Sequence, residues 1–158
     1  IRELETEARP REQQLAALQE QVREMNDEHE RTARAQTALD AAIAALIEDL
    51  EDRGMLDDVL IYCAGEFGRT PLMNGHAGRD HWSNCFTVML AGGGIKGGQV
   101  VGASEKWGGG VKERLTIPLD VYATIFQQLG IPLERHYEDA SGRPVSIVGA
   151  GRPIRELL

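Results

Sequence analysis

Leu15, Leu18, Val22 and Met25 recur at alternating spacings of three and four, and the same register passes His29, Thr32 and Gln36 before meeting Leu39, Ile43, Leu46 and Leu50. That is the a/d seam of a helix with a polar middle. Two readings fit it. One is a single long coiled-coil helix that pairs with a partner. The other is two helices broken near Gln36, where Thr37 and Asp40 form a T-x-x-D start signal. The charges beside the seam read as a solvated face without chemistry. Arg53 and Gly54 close the segment, a cation followed by a glycine suited to the left-handed C-cap.

The period then changes. "DDVLIYCAG" (Asp57 to Gly65) is a short continuous apolar run between turn residues, which predicts a strand over Val59–Ala64 covered on both faces, as in a parallel sheet. "CFTVMLAGGG" (Cys85 to Gly94) repeats the pattern. "IPLDVYATIFQQLGIP" predicts an amphipathic helix with Pro118 near its start. Leu119, Tyr122, Ile125, Phe126 and Leu129 form its apolar face, and Gly130 and Pro132 stop it. "RPVSIV" predicts a last short edge strand, and the tail "GRPIRELL" fits more than one element. Helix, strand, loop, strand, helix, strand is an α/β order. The natural division is a charged helical segment over 1–36 and an α/β part over 37–158.

Charge sharpens that division. Residues 1–58 hold sixteen acids against seven Lys and Arg, whereas residues 59–158 hold nine against ten, so the net charge of −8 belongs to the N-terminal third. The remainder would not repel an anionic ligand. Neither part has a basic stripe with interleaved aromatics, which excludes a nucleic-acid binder. No apolar run is long enough for a membrane span. Cys63 and Cys85 lie in strand-like runs without CxxC spacing and read as buried free thiols. The chain opens on Ile, which predicts a fragment or processed product of a longer protein.

Two stretches invite chemistry. Gly92-x-Gly94-x-x-Gly97 formally matches a dinucleotide fingerprint, but "GGQVVGA" follows where a helix should aim its N-terminus at the pyrophosphate, and no Gly-Lys-Ser/Thr closes a Walker loop. A glycine turn is the better account. The loop from Glu66 to Trp82 is different, because it packs Glu66, Arg69, His76, Arg79, Asp80, His81 and Trp82 between two strands. A connection with no other task is usually short. Ligands bind at the carboxyl ends of strands in α/β sheets, where Glu66 stands. Its carboxylate, with Asp80 and His81 at the far end of the loop, suits Zn²⁺, Mn²⁺ or Fe more than Ca²⁺ or Mg²⁺. Arg69 and Arg79 add fork-shaped donors that match a phosphate or sulfate. The competing reading is a surface loop whose charges pair with one another, with His81 and Trp82 packing as a structural lid. His76 sits among Asn74, Gly75, Ala77 and Gly78, a setting for a substrate contact or plain exposure. His29 and His136 read as surface residues, Lys96 and Lys106 fit anion steering or plain solubilising charge, and Trp107 fits the cap of an apolar patch and is assigned no role.

In that order, "EFGRTP", "AGRDHW" and "LAGGGIKGG" resemble the C-terminal part of a large bacterial family of unknown function that is related to the sulfatases within the alkaline-phosphatase-like superfamily. The resemblance runs from "LDAAIAALIEDL" to "GRPIREL" and covers most of the chain. It implies part of a doubly wound sheet with one or two divalent metal ions at the carboxyl ends of its strands, and a small anionic ester as substrate. It implies that Glu66 is a strand-end metal ligand, that His81 with Asp80 supplies others, and that Arg69 or Arg79 holds the anion. It also implies export. Departures accompany it: Gly65 stands where the family commonly has Ser, and the upstream half that should bring the nucleophile and further ligands has at most an echo in Asp27 and His29. The favoured expectation is therefore the C-terminal portion of a sulfatase-like, metal-dependent hydrolase, inactive by itself. The alternative is a non-enzymatic binding or assembly module that oligomerises through the N-terminal helix.

Overall fold

The computed structural model describes residues 2–76 and 78–158, with side chains from Pro10 onward. The chain divides into two compact units, Ile1–Ala44 with Leu72–Asp80, and Ala45–Pro71 with His81–Leu158. Its architecture is mixed, with two α-helices and four two-stranded antiparallel sheets among the described residues.

Helix α1 (Arg2–Asp52) is continuous. Of the two sequence readings, the single long helix is the one observed, and there is no break at Gln36. Its residues are mostly strong helix formers, and no glycine interrupts it. Thr37 does not start a new helix: its hydroxyl donates back to the Ala33 carbonyl at 3.0 Å, as Thr32 does to Glu28 at 2.9 Å. Pairs Glu20–Arg23 and Glu30–Arg34 add local support worth a few tenths of a kcal/mol each. The end is a Schellman motif. Gly54 takes φ +67°, its N–H donates to Glu51, and the Met55 N–H donates to Leu50.

In the second unit β1 (Leu60–Ala64), β2 (Gly68–Arg69), β3 (His81–Trp82) and β4 (Val88–Gly92) follow. Strands β1 and β4 pair antiparallel, with Tyr62 opposite Leu90, which corrects the parallel arrangement expected from their continuous apolar character. Parallel neighbours need a crossover, usually helical. Among its described residues the connection from Gly65 to Thr87 contains only the short β2 and β3, so the chain turns back on itself. Strand β4 is half-buried along its length and β1 is exposed at Tyr62 and Ala64, so neither is covered on two faces. Gly92 ends β4 at φ +67°, where a side chain would collide with the carbonyls of Val59 and Leu56. The Gly92–Gly94 stretch is a tight turn, closed by Ile95 N–H to the Gly92 carbonyl.

Strands β5 (Ala103–Ser104) and β6 (Val111–Glu113) form one small hairpin. After helix α2 (Pro118–Gln128), β7 (His136–Glu138) and β8 (Pro144–Ser146) form another, so "RPVSIV" does hold a strand. Its turn is organised by Asp139, which accepts from the N–H groups of Ser141 and Arg143 and from the Arg143 guanidinium. The tail closes as a 3₁₀ turn (Arg155–Leu157).

The core lies around α2. Leu50, Val121, Ala123, Val148 and Ile154 are buried, and Thr124 is wholly so. The face predicted for α2 is only partly the inward one, since Ile125 and Phe126 are half-buried but Leu119, Tyr122 and Leu129 are exposed. The tail decides which face turns inward. Thr124 Oγ1 donates to the Asp120 carbonyl and accepts from the Ile154 N–H, while Asp120 accepts from the Ile117 and Arg152 N–H groups. Polar residues at helical spacing thus hold the apolar tail on that side. Cys63 and Cys85 are free, half-buried thiols.

Candidate functional site

The chain leaves β1 at Ala64, bends through Gly65 and Glu66, and enters β2. Glu66 is exposed at that bend, immediately beyond the carboxyl end of β1. Strand β2 then pairs with β3 in antiparallel register, with Gly68 opposite Trp82 and Arg69 opposite His81. Directly opposed residues project to one side of a hairpin, with Cβ atoms about 5 Å apart. The guanidinium and the imidazole thus leave neighbouring strands on a shared face. Phe67 fills that face. Its ring centroid is 3.9 Å from that of His81 at an interplanar angle of 36°, and the Arg69 guanidinium carbon lies 5.4 Å from it.

The other side of the hairpin is anchored. Trp82, one residue beyond His81, donates its indole N–H to the Gly109 carbonyl at 3.0 Å. Gly68 is required there, because a Cβ would run into the backbone carbonyls of Cys85 and Trp82. Alternation along β3 therefore separates the two residues of "HW": the indole is tied to the Gly-rich loop, and the imidazole is exposed. The structural role that the lid reading gave to both belongs, through a hydrogen bond, to Trp82.

Arg79 and Asp80 lie in the Leu72–Asp80 loop of the first unit. Asn74 organises that loop. Its side-chain oxygen accepts from the N–H groups of His76 and Gly78, its amide donates to the Asp80 carboxylate at 2.8 Å, and its backbone N–H donates to the Gly78 carbonyl. Such an Asx arrangement lets a short segment satisfy its own backbone. His76 is exposed and, with Glu24, Asp27, Glu28 and Arg31, borders a shallow depression of about 290 Å³.

Sequence reasoning named five side chains, and the hairpin brings Arg69 and His81 together, with Glu66 on the same stretch of chain. It missed Phe67, which lies in the bend just before β2 and two residues from Arg69, the spacing that puts two side chains on one side of extended chain. It also missed Asn74, whose Asn-Gly step is a turn signal. Among the described residues no three His, Cys, Asp or Glu side chains are grouped so as to hold a metal ion. No helix among them is long and apolar enough to cross a membrane.

With this hairpin in view, the comparisons with known proteins place the chain. Residues 22–158 match a family described as protein of unknown function (DUF1501). The chain belongs to that family. The match starts within α1 and covers every strand, α2 and the tail, so the hairpin with Phe67, Arg69 and His81 is part of the family region, whereas Leu15 and Leu18 of the seam lie before it. No curated protein and no solved structure matches the chain.

Proposed function

We propose that this family region is the C-terminal portion of a sulfatase-like, metal-dependent hydrolase of phosphate or sulfate esters, and that the chain alone turns nothing over. The observation that carries the reading is the opposition of Arg69 and His81 across β2 and β3, just after Glu66 at the end of β1. One fork-shaped cation, one imidazole and one carboxylate on a short stretch of chain are what an anionic ester with its metal requires. The donors fit a metal only in part. Glu66 and His81 offer oxygen and nitrogen ligands suited to Zn²⁺ or Mn²⁺, with Asp80 next to His81 in sequence, but a shell of four or more needs further ligands. When bound, such an ion neutralises ester oxygens as a Lewis acid. Arg69 holds the anion by paired N–H donors, and Arg79 is the second candidate for that task. The nucleophile comes from outside these residues.

Calorimetric titration of the chain with Zn²⁺ and with Mn²⁺ tests this. Weak binding is expected, reduced by roughly tenfold or more in Glu66→Ala and in His81→Ala. Affinity unchanged in both variants would remove the metal site, and robust turnover of aryl phosphates or sulfates by the chain would show it to be complete without further ligands.

A second reading has its own observation. Leu15, Leu18, Val22 and Met25 are 41–57% exposed on a continuous helix, and their flanking e and g positions, Gln14, Gln19, Gln21 and Asn26, are uncharged. Nothing at those positions opposes a second copy of the same seam. On this reading α1 is an assembly helix that joins two chains.

A further inference from the structure

We infer that Phe67 is a positioning residue that holds Arg69 and His81 together as a clasp for a tetrahedral oxyanion. This rests on the reading of the same hairpin given above and adds what fixes its geometry. An exposed arginine and an exposed histidine on a two-residue hairpin would ordinarily sample many rotamers, and ordering long side chains opposes any contact they make. Here one ring touches both. The imidazole lies against the Phe67 ring at 3.9 Å between centroids, and the guanidinium stands over that ring at 5.4 Å, within the range where a cation is drawn to an aromatic face. Backbone register supplies the rest, since Arg69 and His81 are direct cross-strand partners. The far side of β3 is pinned through the Trp82 indole to Gly109, so the clasp rises from an anchored ribbon.

The chemistry of the pair selects the ligand class. A guanidinium offers parallel N–H donors that match two oxygens of a sulfate or phosphate group. The imidazole adds one N–H donor when neutral and two when protonated. The guanidinium accepts nothing, and a neutral imidazole accepts at one ring nitrogen only, the one a metal would use, so the N–H donors left on this face recognise an anion. A phosphate and a sulfate monoester share this tetrahedral group, and the clasp binds either through it. Phe67 contributes no hydrogen bond; it lowers the ordering cost of the two groups that do.

Histidine-ring and arginine Nε–H NMR spectra of the intact chain, titrated with sodium sulfate or inorganic phosphate at constant ionic strength held with chloride, test the inference. Saturable shifts are expected at His81 and Arg69 with either anion, while His29 and His136 stay fixed. In Phe67→Leu the ring-current displacement of the His81 protons should vanish and anion affinity fall roughly threefold, as expected for losing one cation–aromatic contact, with Phe67→Tyr restoring both. Should Phe67→Leu unfold, Arg69→Gln keeps the stack: the His81 ring-current signature should persist and the anion response disappear. No response of His81 to either anion, or a Phe67→Leu titration identical to wild type, overturns the clasp. Metal titrations read Glu66 and His81 independently of Phe67, so loss of the metal reading and loss of the clasp give different results.

Discussion

Helices α1 and α2 are built by the same local rules and end in opposite situations. Both were readable from periodicity, and both contain threonines whose hydroxyls donate to the carbonyl four residues back: Thr32 and Thr37 in α1, Thr124 in α2. In α1 those hydroxyls are exposed and their bonds end there. In α2 the same oxygen also accepts from the Ile154 N–H, is fully buried, and fastens the tail to the helix. A helix follows from its own residues, but what it holds follows from segments that return to it from elsewhere in the chain. α2 is a scaffold. In α1 the seam residues Leu15, Leu18, Val22, Met25, Leu39 and Leu46 are exposed, Ile43 is half-buried, and Leu50 near the end is the buried one among those described.

The largest effect that separates the two helices should come from identical substitutions. Thr124→Val removes the acceptor for the buried Ile154 N–H, and an unsatisfied buried donor costs about 1–3 kcal/mol. Thr37→Val removes an exposed back-bond and should stay within about 0.5 kcal/mol of wild type. Urea unfolding of both variants checks this, with Thr124→Ser expected to recover most of the loss. Equal effects would mean that the tail does not depend on α2.

A smaller effect on folding, but a decisive one for assembly, is expected in the seam. Leu18→Glu with Met25→Glu places charge on exposed positions, so the unfolding midpoint should move by less than about 0.5 kcal/mol. If two copies of α1 pair through this seam, the same change buries carboxylates in the interface and weakens association by roughly tenfold or more. Sedimentation of the intact chain across a concentration series reads it. A wild-type chain that is monomeric throughout would exclude the assembly reading.

What could be read in advance follows the same division between local and returning contacts. The Arg53–Gly54 stop, the glycine turn after β4, Pro118 and Gly130 around α2, and the run that becomes β1 are fixed by residues within a few positions of one another. The inward face of α2 is only partly legible because its partners, Val148 and Ile154, arrive some thirty residues later and are docked by Asp120 and Thr124, polar residues that an apolar count passes over. Strand direction was misread because a continuous apolar run reports burial and not polarity of pairing. The candidate site was half legible. Composition marked Glu66, Arg69, Arg79, Asp80 and His81, but the opposition of Arg69 to His81 depends on a register set across an eleven-residue excursion, and Phe67 acquires its role only through that register.

The smallest expected effect lies where the tail meets the segment before α2, at an ion pair that lies at the surface. The Arg114 guanidinium grips Glu156 in two parallel bonds of 2.7 and 2.9 Å, from a backbone in the left-handed region at φ +51°. The pair raises the Arg114 pKa and, chiefly through the side-chain hydrogen bond from Arg114, holds the Glu156 carboxyl down to about 2, against an ordinary value of 4.5. A carboxyl whose pKa is depressed on folding stabilises the fold above its unfolded value and loses that contribution as pH falls through the folded one. The contribution of this pair should therefore be complete above about pH 5 and fade between roughly pH 4.5 and 2, with the gain small because both side chains are about two-fifths exposed. Glu156→Gln should lower stability slightly at neutral pH, converge with wild type near pH 2, and flatten the acid limb between; added salt should narrow the neutral-pH difference. Asp120 also acts on the Arg114 guanidinium through its charge, but the ion pair shares no hydrogen bond with the Asp120 and Thr124 contacts, so combining Glu156→Gln with Thr124→Val distinguishes two attachments of the tail from one. Additive losses would mean that ion pair and buried hydroxyl act separately, whereas a double variant no worse than Thr124→Val alone would mean that the ion pair forms only after Thr124 has docked the chain.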